Sequence, residues 1–234
     1  MTRNLKALMG LFALLSMSAL IATVAQAETH DFDTESAPAI LTGEADPEAP
    51  NQVFSFLIEG GGTGTVTCNK LTAKATTTAA TESEVTFSEF HYSKTTNAKC
   101  DSHITGANTA EISDAGCHFT FTGETDGSGH AVVHLACTGE PLKIKMPACT
   151  ITLTNNQTLR GIHYTETGID ASRDITGHAT LTSAIAYTSA GVGCELAGVP
   201  AAGNASYSGT FLVKGFQDEG GKEGAQQGVF TSTT

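Results

Sequence analysis

The sequence predicts an all-β fold, a single β-sandwich-like domain built from antiparallel hairpins. Charged residues make up only 15% of the 234 residues, whereas 36 are threonine, so the Lys- and Glu-rich surfaces of helices are scarce. Apolar and polar residues alternate with a period of two through most of the chain, as in half-buried strands. Beyond residue 27, no stretch repeats apolar residues at helical spacing over three turns.

Residues 1–27 predict a signal helix that is cleaved on export. Arg3 and Lys6 precede an apolar run, which ends in the small-x-small sequence Ala25-Gln26-Ala27 that signal peptidase accepts. A membrane anchor is the alternative, since the run approaches the length of a spanning helix. The small residues and the acidic segment that follows favour cleavage. We therefore expect a secreted, extracellular protein that is not attached to a membrane after cleavage.

The acidic composition limits the partners. The formal net charge is −12 at pH 7, whereas nucleic acids and anionic membranes require clustered Lys and Arg. We expect an extracellular protein or a surface as the partner, no nucleic acid, and no cofactor.

Cysteine usage agrees with export. Six cysteines follow the predicted signal, and an even number in an oxidising compartment predicts three disulfides. Zinc is the competing interpretation, but the chain has no C-x-x-C pair or ladder of Cys and His ligands. Spacing leaves the pairing open among the candidates Cys68, Cys100, Cys117, Cys137, Cys149 and Cys194.

Composition divides the chain after the signal into three parts. Residues 28–51 are acidic, with no Lys or Arg, and predict an extended arm in which only Ala39–Thr42 resembles a strand. Residues 52–216 contain the alternating strands and predict the β domain. Residues 217–234 are rich in Gly, Gln and acidic residues and predict a flexible tail.

Several strands follow from the alternation. It predicts them at Phe54–Ile58, around Val66 and Cys68, and at Tyr207–Val213. Val85 and Phe87 share one face, and Phe90 and Tyr92 continue that face after the phase slips by one residue. Such a slip predicts a β-bulge near Ser88-Glu89.

The clearest element is a hairpin from Cys117 to Cys137. Folding about Gly127 places Phe121 opposite Val133 and Cys117 opposite Cys137, with the apolar residues on one face. A bridge between Cys117 and Cys137 fits this register.

Part of this hairpin recurs, since residues 148–154 resemble residues 116–122. The echo predicts a second hairpin that turns at Asn155-Asn156 and returns through Ile162 and Tyr164. Residues 184–188 likewise resemble residues 161–165. The two spacings, 32 and 23 residues, are irregular, which favours repeated hairpins over a solenoid. A barrel and a solenoid remain alternatives to the sandwich.

Short motifs along the chain also resemble a known group. They are Thr34–Ser36, Ala39–Gly43, Gly64–Cys68, Cys149–Leu153, Tyr207–Gly209 and Val213–Gly215. Together they resemble an uncharacterised group of secreted, cysteine-containing β-rich proteins of soil actinobacteria. The resemblance implies export and a β fold, and it assigns no catalytic residue.

Two patterns suggest metal ions. His118 and His134 lie on the outward face of the predicted hairpin, diagonal to each other, and two imidazoles can hold zinc or copper with a ligand from a neighbouring strand. Solvated histidines are the alternative. Residues 124–129 place oxygen donors as a calcium loop does, but the twelfth position is Leu135 where a glutamate is needed, which favours a simple turn.

Catalytic signatures are missing from the sequence. It contains neither a G-x-S-x-G nor an H-E-x-x-H motif, and nothing singles out two of the 24 acidic residues as a glycosidase pair. Our first hypothesis is therefore a non-enzymatic extracellular binding or surface/structural protein. The alternatives are an extracellular hydrolase whose site is assembled from loops and a weak metal-binding protein that uses His118 and His134.

Overall fold

The computed structural model describes residues 30–58, 62–104, 106–114, 116–125, 130–191, 194 and 205–233. The predicted signal helix and its cleavage site lie outside these residues. Within them, the regular structure consists of strands and one 3-10 turn, Asp170–Ser172. The all-β prediction is confirmed.

Eight strands form a closed antiparallel ring, the primary barrel. They are β2 (Ala39–Ala45), β5 (Lys70–Thr77), β7 (Glu84–Ser93), β10 (Cys117–Thr125), β11 (Ala131–Cys137), β14 (Gln157–Thr167), β15 (Asp174–Ile185) and β17 (Ala205–Asp218). Each pairs with the next, and β17 closes the ring by pairing with both β15 and β2. The structure is thus a barrel instead of the predicted sandwich. Alternation of inward and outward residues is common to both folds, so the pattern could not separate them.

Seven further strands, the extension, prolong the primary barrel. They are β3 (Gln52–Leu57), β4 (Thr63–Cys68), β8 (Cys100–Ile104), β9 (Ala107–Ser113), β12 (Lys143–Met146), β13 (Cys149–Leu153) and β16 (Tyr187–Ala190). They pair in this order from β17 onward. Links of one to six residues join each to a strand of the primary barrel; Asn69 alone separates β4 from β5. The chain therefore runs as eight long strands, most of them bent where the extension begins.

The predicted second hairpin is wrong. β13 pairs with β12 and β16, whereas β14 pairs with β11 and β15, so the two are successive parts of one bent long strand. Asn156 has a φ of 57°, and the Asn155 side chain bonds the Cys137 backbone, accepting from its N–H at 2.7 Å and donating to its carbonyl at 3.0 Å. These contacts bend the chain without reversing it.

The first hairpin and the bulge are confirmed. β10 and β11 pair with Phe121 opposite Val133 and Cys117 opposite Cys137, while the predicted turn at 126–129 lies outside the described residues. Between β5 and β7 the register gains one residue, where Glu89 has a φ of 55°. Local alternation was sufficient to place both features.

The predicted arm and tail are built into sheets. β1 (His30–Thr34) pairs with β6 (Thr81–Glu82) and β19 (Val229–Thr233), and β18 (Glu223–Gln227) pairs with β17. The sheet of β19, β1 and β6 lies against one end of the barrel, because Phe32 of β1 is buried with its ring 5.7 Å from that of Tyr164. Ser36 donates from its N–H and hydroxyl to the buried Gln227 side chain at 3.0 and 2.7 Å. A few buried apolar and amide side chains therefore fix both segments against the barrel, although their composition is acidic.

All six cysteines form disulfides, as predicted. The pairs are Cys68–Cys100, Cys117–Cys137 and Cys149–Cys194. Two of the pairs join strands that are neighbours in the sheet, β4 with β8 and β10 with β11, and the third joins Cys149 of β13 to Cys194, which lies four residues beyond the end of β16. Such bridges stabilise a fold by restricting the unfolded chain, by roughly 2–4 kcal/mol each.

Candidate functional site

The interior of the primary barrel is a packed core that contains a small apolar cavity of about 60 Å³. Its aromatic lining consists of Phe54, Phe87, Phe90, Tyr92, Phe119, Phe121, Tyr207 and Phe211. Pockets for small molecules usually measure roughly 300–1,000 Å³. The interior therefore has too little space for a ligand of ordinary size.

The polar groups beside this cavity bond to one another. The Tyr207 hydroxyl donates to Gln52 Oε1, and Gln52 Nε2 donates to the Thr210 carbonyl at 2.8 Å. Burial raises the pKa of both Tyr92 and Tyr207, so both hydroxyls stay protonated. These hydrogen bonds satisfy polar atoms that are buried. We therefore conclude that the interior residues stabilise the fold and do not form a binding site.

The outer wall carries a larger concave surface of about 420 Å³, the outer groove. Its lining is Thr42, Gly43 and Glu44 of β2, Thr72, Ala73 and Lys74 of β5, Glu89 and His91 of β7, Lys214 and Phe216 of β17, and Glu223 of β18. Its volume lies within the range of small-molecule sites.

Register explains why these side chains meet. Thr42 lies opposite Lys214 on one side and Lys74 on the other. Because neighbouring strands are about 4.8 Å apart, the two lysines start roughly 10 Å apart across the groove. Gly43 and Ala73 lie opposite each other and are buried, so neither places a large side chain in the groove. The floor between the two lysines is therefore formed by backbone and threonine.

The bulge in β7 shapes one side of the groove. Glu89 is the extra residue, and both Glu89 and His91 are exposed while Phe90 between them is buried. Bulges re-aim side chains in this way. Without the extra residue, the alternation of β7 would not continue from Phe87 to Phe90 on the inside.

The groove carries charges of both signs. Lys214 Nζ lies 2.5 Å from Glu44 Oε1, and this hydrogen bond raises the pKa of Lys214. Both side chains are partly exposed, so the pair adds little stability. The side chains of Lys74, Glu89 and Glu223 make no hydrogen bond or ion pair within the part of the chain that the structure describes.

Asp174 lies next to this charged pair. Burial raises its pKa, while the nearby Lys214 acts in the opposite direction. Gln226 Nε2 donates to its carboxyl at 3.5 Å.

The metal candidates lie on neighbouring strands, as predicted. His134 lies opposite Thr120, and its Nδ1 is 3.0 Å from Thr158 Oγ1 on β14. β11 separates β14 from β10, so this nitrogen faces away from His118. Among the described residues, no three His, Cys, Asp or Glu side chains are placed to hold a metal ion. Most of residues 124–129, for which the sequence favours a simple turn over a calcium loop, lies outside the described residues, so the simple turn stays a prediction.

The sequence did not reveal the outer groove. Its lining comes from positions as far apart as Thr42 and Glu223, on five strands. The bulge at Ser88-Glu89 was the one local signal, and by itself it does not indicate which strands lie beside it.

The fold and the groove together define a class: a disulfide-linked, eight-stranded antiparallel barrel with a filled interior and a charged outer groove. Comparison with models of known protein families, with curated proteins and with solved structures gave no match. Within the described residues, no helix has the length and apolar character needed to cross a membrane.

Proposed function

We propose that this chain is a secreted, non-enzymatic binding protein that holds a small polar ligand in the outer groove. The observation that carries the proposal is the set of unpaired charges of both signs, on paired strands, around a concave surface. Disulfides and a closed barrel suit a protein that has to keep a binding surface rigid outside the cell.

The groove's chemistry indicates a ligand that carries both a carboxylate and an ammonium group, as an amino acid or a short peptide does. Lys74 is an unpaired donor for the carboxylate, and either Glu89 or Glu223, which lie on opposite sides of the groove, is an unpaired acceptor for the ammonium group. The Thr42 and Thr72 side chains add hydroxyls at the floor, and Phe216 adds an apolar face.

The spacing of the acids favours binding over glycoside cleavage. Glu44 is paired with Lys214, which leaves Glu89 and Glu223 as a candidate pair. They lie on β7 and β18, with β5, β2 and β17 between them. Four strand spacings amount to about 19 Å along the sheet, whereas catalytic pairs are about 5–9.5 Å apart.

Calorimetric titration with trialanine tests the proposal. We expect the peptide with free termini to bind, and Lys74→Ala to weaken binding by about 10- to 100-fold, since hydrogen bonds to charged groups are worth roughly 1.5–3 kcal/mol. C-terminal amidation should weaken binding to the unaltered protein but have little further effect on Lys74→Ala.

The matched control is Lys145→Ala, an exposed lysine on the outer face of β12. It should bind trialanine as the unaltered protein does. Absence of binding, or an equal loss in Lys145→Ala and Lys74→Ala, would contradict the proposal.

Extracellular hydrolysis is the second candidate, and Asp174 is the observation that favours it. A carboxyl group with a raised pKa keeps its proton to higher pH, as a general acid requires. Fluorogenic glycosides and peptides would reveal turnover, and Asp174→Asn should abolish it if Asp174 is the acid. Turnover of a substrate that depends on Asp174 would replace the binding proposal.

A further inference from the structure

Two histidines face each other on the outer wall, away from the outer groove. His163 of β14 and His178 of β15 are direct partners in the strand register, and both are exposed. Directly opposed side chains have Cβ atoms about 4.5–5.5 Å apart. The sequence could not indicate this pair, because it depends on how β14 and β15 are aligned.

Threonines hold the ring of His178 on both sides. Nδ1 lies 3.4 Å from Thr210 Oγ1 on β17, and Nε2 lies 3.4 Å from Thr165 Oγ1 on β14. Nε2 therefore faces the strand that carries His163. When Nδ1 donates to Thr210, Nε2 accepts from the Thr165 hydroxyl, which can donate instead to the Thr176 carbonyl at 3.5 Å and so leave Nε2 for a metal. A hydrogen bond at the other nitrogen is what orients metal-binding histidines.

Arg160, three residues before His163 on β14, is an exposed positive charge, but the neighbouring side chains on the other sides of the pair do not oppose a cation. The neighbouring register pairs on the outer face are Thr165 with Thr176 and Thr180 with Ser208. None of these side chains carries a charge, and their hydroxyls can accept hydrogen bonds from water bound to a metal.

We propose that His163 and His178 form a two-histidine site for a divalent transition metal of the copper, nickel and zinc group. The imidazoles supply two nitrogen ligands and water completes the coordination. Nitrogen ligands follow the order copper over nickel over cobalt, so Cu²⁺ should bind most tightly. The site does not depend on the outer groove.

This pair differs from His118 and His134. Those two are diagonal, about 7–8 Å apart by register, and His134 Nδ1 faces β14 instead of the strand that carries His118. The double variant His118→Asn/His134→Asn is therefore a matched control, with two histidines removed from the same kind of surface.

Equilibrium dialysis against CuCl₂ tests the site. His163→Asn and His178→Asn should each bind one copper per chain fewer than the unaltered protein, while the control variant keeps its full amount. Copper should also raise the midpoint of thermal unfolding by a few degrees, since a ligand that bridges two strands binds the folded state alone. That rise should vanish in both single variants.

Both positions are exposed, so each single variant should keep the circular dichroism spectrum of the unaltered protein. Undiminished copper binding in the two single variants would overturn the proposal. So would loss of the same copper in the control variant.

Discussion

The inside and the outside of the primary barrel are formed by the same strands but have opposite properties. Inside, aromatic rings leave about 60 Å³ of space. Outside, the same strands β2, β5, β7 and β17 enclose about 420 Å³ among charged and hydroxyl side chains. The difference indicates that the inward residues specify and stabilise the fold, and that the outward residues are available for binding.

The largest effect should come from removing a ring inside the barrel. Phe121 is 7% exposed, and its ring lies 5.5 Å from that of Phe87 and 5.7 Å from that of Phe211. Phe121→Ala should lower the free energy of unfolding by about 3–5 kcal/mol, measured by urea denaturation. Phe216→Ala, on the partly exposed wall of the groove, should cost less. Equal losses would remove the distinction between the two faces.

A smaller effect should come from adding a methyl group inside. A Cβ on Gly177 would lie 2.2 Å from the Phe211 ring, whereas a Cβ on Gly43 would meet its nearest atom at 3.4 Å. Gly177→Ala should therefore cost about 1–3 kcal/mol through overpacking, and Gly43→Ala should cost less. If thermal unfolding ranks them the other way round, the interior is looser than the contacts indicate.

The smallest effect concerns Asp174 at the outer wall. Because burial raises its pKa in the folded protein, its ionised form is less favourable there than in the unfolded chain. Stability is lost as pH rises through the carboxyl's titration range and is regained in acid. At pH 7, Asp174→Asn should therefore have a slightly higher free energy of unfolding than the unaltered protein. The gain should be well under ~1 kcal/mol, because solvent screens the partly exposed carboxylate. The gain should disappear in acid; a gain that persists there would have another cause.

Local features were predictable from the sequence, and long-range ones were not. The hairpin from Cys117 to Cys137 and the bulge at Glu89 follow from side-chain alternation within a few residues. Closure of the barrel depends on β17 pairing with β2, whose partners lie more than 160 residues apart, and no local pattern encodes that choice. At Asn155-Asn156 turn-forming residues bend the chain without reversing it.

The candidate sites follow the same division. The sequence identified His118 and His134 because both lie in one hairpin, whereas the His163–His178 pair needs the register of β14 against β15. Predicting the outer groove requires the pairing of still more strands, because Lys74, Lys214 and Glu223 come from three strands that only the closed barrel brings together. Alternation correctly predicted that Phe87, Phe90 and Tyr92 share one face, and all three are buried.

Mapping by nuclear magnetic resonance during a trialanine titration tests most directly whether the outside binds and the inside does not. The account predicts shifts in the backbone amide signals of Thr42 and Thr72 at the groove, with no shift in the methyl signals of Leu135 and Leu181 at the cavity. Shifts confined to those interior methyl signals would contradict it, because they would place the ligand inside the barrel.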